Sequence, residues 1–230
     1  MKEAGVAQLV ERETCNFDVT GSIPVTSSTP TKFKKEKMIK ELPYLDLRLT
    51  EESMNYLWDI INHPIQPPEN VSEHLAGNIS KSNRLQNKDN WFYENVLKEC
   101  SEQLYYKDWP NKVPPSIFKL EKLWVNYQKQ HEFNPSHSHG GLFSFVVFMK
   151  IPTHWKEQHK LPISANSNHP QASDFQFLLG QGREVKNIDI TLSPEDEGRM
   201  LFFPAWLSHQ VYPFYGTEEE RITISGNIFE

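Results

Sequence analysis

The chain has 230 residues, of which 30 are acidic and 24 basic, giving a formal net charge of −6, and it contains two cysteines. An acidic chain is a poor default partner for nucleic acid, and two cysteines make no disulfide framework and fit a reducing, cytoplasmic setting. No apolar run approaches the roughly 20 residues of a membrane-spanning helix.

Residues Met1 to Lys37 carry no sustained apolar period, helical or extended. The charged start lacks the uninterrupted apolar run of a secretion signal, and the segment ends in a Ser/Thr/Pro cluster followed by the basic run Lys32-Phe33-Lys34-Lys35-Glu36-Lys37. The words Ala7-Gln8-Leu9-Val10-Glu11-Arg12 and Gly21-Ser22-Ile23-Pro24 resemble a transfer-RNA gene translated in frame, the first its D-arm and the second its T-arm. Residues 1–37 are therefore expected to be a spurious or disordered leader, a flexible basic targeting tail being the other reading, and Met38 to open the domain. Roughly 190 residues remain, enough for one domain with a sizeable core and too few for two. The leader holds 6 basic and 5 acidic residues, which leaves −7 on the domain.

Thr50-Glu51-Glu52-Ser53 reads as a capped helix start with acidic residues in the first turn, and Met54, Leu57, Ile60 and Ile61 recur at helical spacing. The prolines between Pro64 and Pro68 stop this helix. The loop from His74 to Ile79 has no period. A second helix is expected from Asn90 to about Tyr106, with Trp91, Val96, Leu97 and Leu104 as a loose apolar stripe. Asp108-Trp109-Pro110-Asn111 and Pro114-Pro115 mark a boundary, so residues 38–115 form a helical N-terminal part and 116–230 the core. Beyond it come short strands between turn clusters, the texture of a sandwich or barrel. Candidate strands are Lys119–Gln128, Leu142–Ile151, Ser173–Leu179, Asp189–Leu192, Met200–Pro204, Leu207–Pro213 and Arg221–Ile228. In the last, Ile222, Ile224 and Ile228 share one face and Arg221, Thr223, Ser225 and Asn227 the other, which predicts a polar face inside a barrel mouth.

Chemistry concentrates at four residues. His137 and His139, at i and i+2 on extended chain, project from one face and can serve one metal ion. His209 arrives from a distant strand, and Arg221 follows 12 residues later as a cation able to grip a carboxylate through two parallel hydrogen bonds. Thr223 or Ser225 on the same face adds a hydroxyl, and Asn126 and Tyr127 lie on the strand before the histidine loop. Competing readings are a surface salt bridge from Arg221 to Glu218-Glu219-Glu220 and ordinary barrel packing for Asn126 and Tyr127. His131, His154, His159 and His169 receive no role. The dense aromatics around the expected mouth, among them Phe143, Phe145, Phe148, Phe202 and Phe203, are mostly core.

The segments Trp124-Val125-Asn126-Tyr127-Gln128, Asn134-Pro135-Ser136-His137-Ser138-His139-Gly140-Gly141, Phe202-Phe203-Pro204-Ala205-Trp206-Leu207-Ser208-His209 and Arg221-Ile222-Thr223-Ile224-Ser225, in this order, are similar to those of small bacterial and phage-type iron(II)- and 2-oxoglutarate-dependent oxygenases of prolyl-hydroxylase-like kind. The resemblance runs from Trp124 to the C-terminus. It implies a mainly β, double-stranded β-helix (jelly-roll, cupin-like) fold of about eight strands with two N-terminal helices outside one sheet. It also implies Fe(II), 2-oxoglutarate and dioxygen as cofactor and co-substrates, hydroxylation of a small-molecule or protein side-chain substrate, and release of succinate and carbon dioxide. Carried over, His137 is the first metal ligand, His209 the distal one, Arg221 holds the distal carboxylate of 2-oxoglutarate with help from Thr223, and Tyr127 or Asn126 bonds the co-substrate. This chain departs from the pattern at His139, which stands where the resemblance expects a carboxylate. Asp174, Asp189 and water are the other candidates for third ligand. Two alternatives stand beside this reading: a three-histidine dioxygenase or cupin enzyme without a keto acid, and a non-catalytic jelly-roll binding module.

Overall fold

The computed structural model describes residues 8–9, 43–64, 69–72, 76–108, 118–181 and 184–230. Strand β6 (Phe143–Lys150) is buried over nearly its whole length, and alternate positions enter two different cores. Phe143, Phe145, Val147 and Met149 pack with the helices, whereas Val146 and Phe148 pack with Phe175, Phe177 and Phe203 of other strands. A strand with apolar residues on both faces must lie between two layers. The protein is accordingly a stack of helices, a seven-stranded sheet and a four-stranded sheet.

The large sheet runs in the order β1-β2-β9-β6-β11-β4-β3, with β1 Gln8–Leu9, β2 Leu45–Arg48, β3 Lys81–Arg84, β4 Lys119–Gln128, β9 Arg199–Pro204 and β11 Arg221–Phe229. The small sheet runs β5-β10-β7-β8, with β5 Asn134–His137, β7 Phe175–Gln181, β8 Glu184–Ile190 and β10 Ser208–Val211. Every pairing is antiparallel. Two antiparallel sheets face to face, with the chain crossing repeatedly between them, make the expected jelly-roll. Six of the seven expected strands fall within a few residues of their predicted bounds. Expected Asp189–Leu192 is instead the longer β8: its first four residues are exposed on a sheet edge, so no burial pattern marks them. Strands β2, β3 and β5, each of four residues, lie outside the expected set, as does the four-residue helix α3 (Trp155–Gln158).

Helix α1 (Glu51–Asn62) starts where its sequence says, because Thr50 Oγ1 accepts from the Ser53 N–H at 3.3 Å, and it buries Leu57, Ile60 and Ile61 against the large sheet. It ends before Pro64. The second helical segment opens with a π-helical turn, Tyr93–Leu97, and continues as α2 (Lys98–Asp108). Tyr56 stacks on Trp91 at 4.5 Å, tying the two helices together. The boundary expected after Asp108, the stretch from Ile65 to Pro68 and His74-Leu75 lie outside the described residues, as does the leader except for β1, which pairs Leu9 with Leu47 at the sheet edge.

β11 divides its faces as its alternation predicts. Ile224 and Ile228 join the helix-side core, and Arg221, Thr223, Ser225 and Asn227 line the space between the sheets. Its neighbour β4 is in register with it, so Arg221 faces Gln128, Thr223 faces Asn126 and Ser225 faces Trp124. These two strands form a polar ladder along one wall of an otherwise apolar interior.

Candidate active site

Three imidazoles converge at the mouth of the jelly-roll. His137 closes β5 directly opposite His209 on β10, and His139 follows where its backbone N–H donates to Ala205 O at 2.9 Å. One nitrogen from each ring lies within 4.8 Å of the others, and no other such group of His, Cys, Asp or Glu occurs among the described residues. The two facing strands orient their histidines by the same device. His137 Nδ1 bonds Pro135 O at 2.7 Å and His209 Nδ1 bonds Leu207 O at 3.0 Å. Because a carbonyl can only accept, Nδ1 carries the proton in both rings and Nε2 keeps its lone pair. Burial lowers the pKa of all three imidazoles, to about 4 for His139 and about 3 for His209; in those two the His137 ring acts in the same direction, whereas in His137 the bond to the Pro135 carbonyl opposes it. At neutral pH the cluster is three neutral donors, which is the state a divalent cation requires.

Arg221 lies inside the same cavity, of about 480 Å³, and is only 1% exposed. Its Nη2 donates to Ser173 O at 2.8 Å and Ser173 Oγ at 2.6 Å, its Nη1 to Gln128 Oε1 at 3.4 Å, and Phe214 lies against its guanidinium at 5.0 Å. Nε has no partner, and no described carboxylate comes within ion-pair distance. The salt bridge to the Glu218–Glu220 run does not form: Glu219 pairs with Lys150 and Glu218 accepts from Gln130. Desolvation lowers the Arg221 pKa to about 10, which still leaves a buried full cation. Asp174 acts on it from beyond ion-pair distance, and its own carboxyl is pushed up by burial, so the buried cation is only partly compensated and an anion arriving in the cavity would meet it.

The other expected residues divide. Thr223 and Asn126 reach the cavity, bonded to each other at 3.4 Å, and Ser82 Oγ donates to Asn126 at 2.8 Å. Tyr127 does not reach it. Period two along β4 turns Tyr127 to the helix side, where the Lys81 ammonium lies 4.0 Å over its ring, so the expectation that it bonds the co-substrate is corrected. Asp174 and Asp189 stay outside the imidazole cluster. Asp174 accepts from His159 Nε2 at 3.0 Å and burial pushes its carboxyl up to about 8, while Asp189 pairs with His169 at 2.8 Å. Gln128 and Ser173 were missed. Gln128 shares the parity of Asn126 and pairs with Arg221 across the ladder, a signal that strand register would have supplied. Ser173 holds a left-handed φ of 76°, rare for a non-glycine residue and unmarked in the sequence.

Three imidazoles gathered within 4.8 Å of one another and a buried guanidinium inside one jelly-roll make a cavity that could hold a metal ion and an anion together. Residues 122–227 of the chain match the family described as "Putative 2OG-Fe(II) oxygenase". Its enzyme class is thus a 2-oxoglutarate/Fe(II)-dependent oxygenase, whose cofactor and co-substrates are Fe(II), 2-oxoglutarate and dioxygen. No curated protein matches the chain. Among solved structures, the carbocyclase SnoK of nogalamycin biosynthesis, described as non-heme and alpha-ketoglutarate-dependent, is 7% identical with a TM-score of 0.52 over 82% of this chain and 79% of that one. That likeness shows the fold. A Pseudomonas putida prolyl-4-hydroxylase (11% identity, TM-score 0.49, 82% and 92% covered) and a viral collagen prolyl hydroxylase of Paramecium bursaria Chlorella virus-1 (12%, 0.49, 84% and 98%) also match.

Iron and the keto acid fit the residues present. Three neutral imidazoles suit Fe(II), and a dianion is what the orphaned guanidinium lacks. No carboxylate joins the cluster, so the departure at His139 leaves the metal's charge to be balanced by the co-substrate.

Proposed function

We propose that residues 38–230 form one domain that hydroxylates an unactivated C–H bond, with His137, His139 and His209 as the Fe(II) ligands and Arg221 as the clamp for the distal carboxylate of 2-oxoglutarate. The observation that carries this is Arg221: fully buried, with no described carboxylate within ion-pair distance, and in one cavity with the imidazole cluster. Iron, 2-oxoglutarate and dioxygen supply the oxidation, and the keto acid leaves as succinate and carbon dioxide.

The protein's own residues do the positioning. Ser173 and Gln128 fix the guanidinium, the Pro135 and Leu207 carbonyls fix the tautomers of His137 and His209, and Thr223 with Asn126 offers polar atoms along the bound acid. Phe148, Phe175 and Phe203 wall the interior side and exclude water, which strengthens every charge interaction inside. The three-histidine set alone would also suit a dioxygenase that uses no keto acid. Such an enzyme gives Arg221 no task.

The substrate class we propose is a small molecule or a protein side chain rather than nucleic acid, in keeping with the net charge of −6. The proposed setting is the cytoplasm; among the described residues no helix is long and apolar enough to cross a membrane. The test is calorimetric titration of 2-oxoglutarate into the anaerobic Fe(II) form. One-to-one binding is expected. A protein that takes up iron at the triad and binds no 2-oxoglutarate would overturn the clamp.

A further inference from the structure

The polar ladder of β4 and β11 has two cationic ends, and the proposed function uses only one. Along the inner face of β4 the order is Lys122, Trp124, Asn126, Gln128, with Arg221 beside Gln128 and Asn227 beside Lys122. Six residues of strand place the ends about 20 Å apart. Arg221 marks the inner, desolvated end and Lys122 the exposed, outer end.

Three facts single out the outer end. Lys122 makes no ion pair among the described residues. The indole Nε1 of Trp124, two residues along the same face, is buried without a hydrogen-bond partner. Arg84, directly across from Trp124 in the β3–β4 pairing, also lines the cavity and is held only by the half-exposed Glu69 at 3.3 Å, a pair of small value that is readily exchanged. Although acids outnumber bases in the chain, no described Asp or Glu lines this cavity, whereas Arg84, Lys122 and Arg221 do.

The ring of Trp124 lies 6.2 Å from that of His139, which sets the outer end of the ladder beside the imidazole cluster.

We propose that the oxidised substrate is itself an anion, whose carboxylate or phosphate group is received at the mouth by Lys122, the Trp124 indole N–H and Arg84, with its reacting carbon held beside the imidazole cluster. The proposal rests on the oxygenase reading for the identity of the reacting centre, and on the mouth alone for the charge. Of the two other unpartnered atoms at the cavity, Arg221 Nε belongs to the inner end, and Asn134 Oδ1 is an acceptor that does not compete for an anion.

The test uses the full chain, loaded with Fe(II) under anaerobic conditions, and titrates hexanoate, hexyl phosphate and the neutral hexanamide by calorimetry, with and without saturating 2-oxoglutarate. At least one of the two anions is expected to bind tenfold or more tighter than the amide, and whichever does so names the oxyanion. Lys122→Gln should remove most of that preference, Trp124→Phe should reduce it several-fold, and 2-oxoglutarate affinity in the same Lys122→Gln sample should stay within twofold. Equal binding of amide and anions, binding of none of the three, or an anion preference unchanged in Lys122→Gln overturns the proposal. Absence of 2-oxoglutarate binding is read separately and bears on the clamp at Arg221.

Discussion

His137 and His209 occupy directly opposed positions in the antiparallel β5–β10 pairing, with ring centroids 4.3 Å apart, and each ring is fixed by the carbonyl two residues before it. A metal joining them therefore cross-links two strands of the small sheet at an edge where only four residues of β5 hold the pair together. Replacing either by Ala should abolish stoichiometric Fe(II) binding while the fold persists, with some loss of stability in His209→Ala because that ring also packs against Phe175 and Phe203 of the small-sheet core. His139→Ala should weaken iron binding and His139→Asp should retain it. Equilibrium dialysis with circular dichroism on the same samples reads both; full iron affinity in His209→Ala would remove the assignment.

Acid should destabilise the metal-free protein through the same residues. The buried His209 has a pKa of about 3 against an unfolded value of about 6.5, so between those limits the unfolded state binds more protons and stability rises with pH. From pH 6.5 down to 5 this residue alone removes about 2 kcal/mol. Asp174 acts in the opposite sense, since its folded pKa of about 8 lies above the unfolded value and its contribution improves as pH falls. The informative quantity is the difference between wild type and His209→Asn in urea melts at pH 7 and pH 5. The slope of stability with pH should be smaller in the variant; identical slopes would contradict a neutral, buried imidazole.

A chain beginning at Met38 should keep fold and iron binding. The leader's described contribution is the two-residue edge pairing of Gln8–Leu9 with β2, while Leu45, Leu47 and Leu49 anchor β2 in the core independently of it. Loss of solubility, or melting more than about 5 °C below the full chain, which for a domain of this size corresponds to more than about 1 kcal/mol, would show that the leader packs.

Gly226 shows how tightly the ladder is set against the helix-side core. A Cβ there would stand 2.7 Å from Lys122 O and 2.7 Å from Cε1 and Cζ of the Phe145 ring, which takes the space left by the missing side chain. Backbone oxygen cannot yield, and Phe145 is wedged against Phe92 at 5.7 Å. Gly226→Ala should cost about 1–3 kcal/mol as overpacking, measured by chemical denaturation, whereas Gly180→Ala, with nothing near its Cβ, should change little.

How far the sequence discloses this molecule depends on what each residue's signal is. β11 was legible to within one residue because isoleucines on one parity and polar groups on the other can mean only one orientation once a core exists. The three histidines and Arg221 were legible because their chemistry is rare and their order is distinctive. β3 and β5 were not, since Lys81-Ser82-Asn83-Arg84 and Asn134-Pro135-Ser136-His137 have no apolar alternation and are strands only because neighbours supply the ladder. Tyr127 went astray for want of parity: it stands between Asn126 and Gln128, and assigning either of those to the cavity sends Tyr127 the other way. Ser173 was beyond reach, because its role depends on a left-handed backbone and on a partner 48 residues away.

That parity yields the sharpest test of the clamp. If the Arg221 guanidinium receives the distal carboxylate of 2-oxoglutarate, Arg221→Ala should leave Fe(II) binding nearly unchanged and weaken the co-substrate by roughly 2–5 kcal/mol, the range for truncating one partner of a buried charged pair. Arg221→Lys should recover part of this, since an ammonium cannot make two parallel bonds and cannot reach Ser173 and the acid in the same plane. Gln128→Ala removes one of the two groups fixing the guanidinium and should cost less than Arg221→Ala, about 1 kcal/mol for one hydrogen bond. Tyr127→Phe, one residue away on the same strand but facing Lys81 and the helices, should leave 2-oxoglutarate affinity untouched. Calorimetry on the anaerobic iron form of the four variants gives the order directly. A loss in Tyr127→Phe as large as that in Gln128→Ala would mean that β4 is turned the other way about, and equal binding by wild type and Arg221→Ala would take the keto acid away from this end of the ladder altogether.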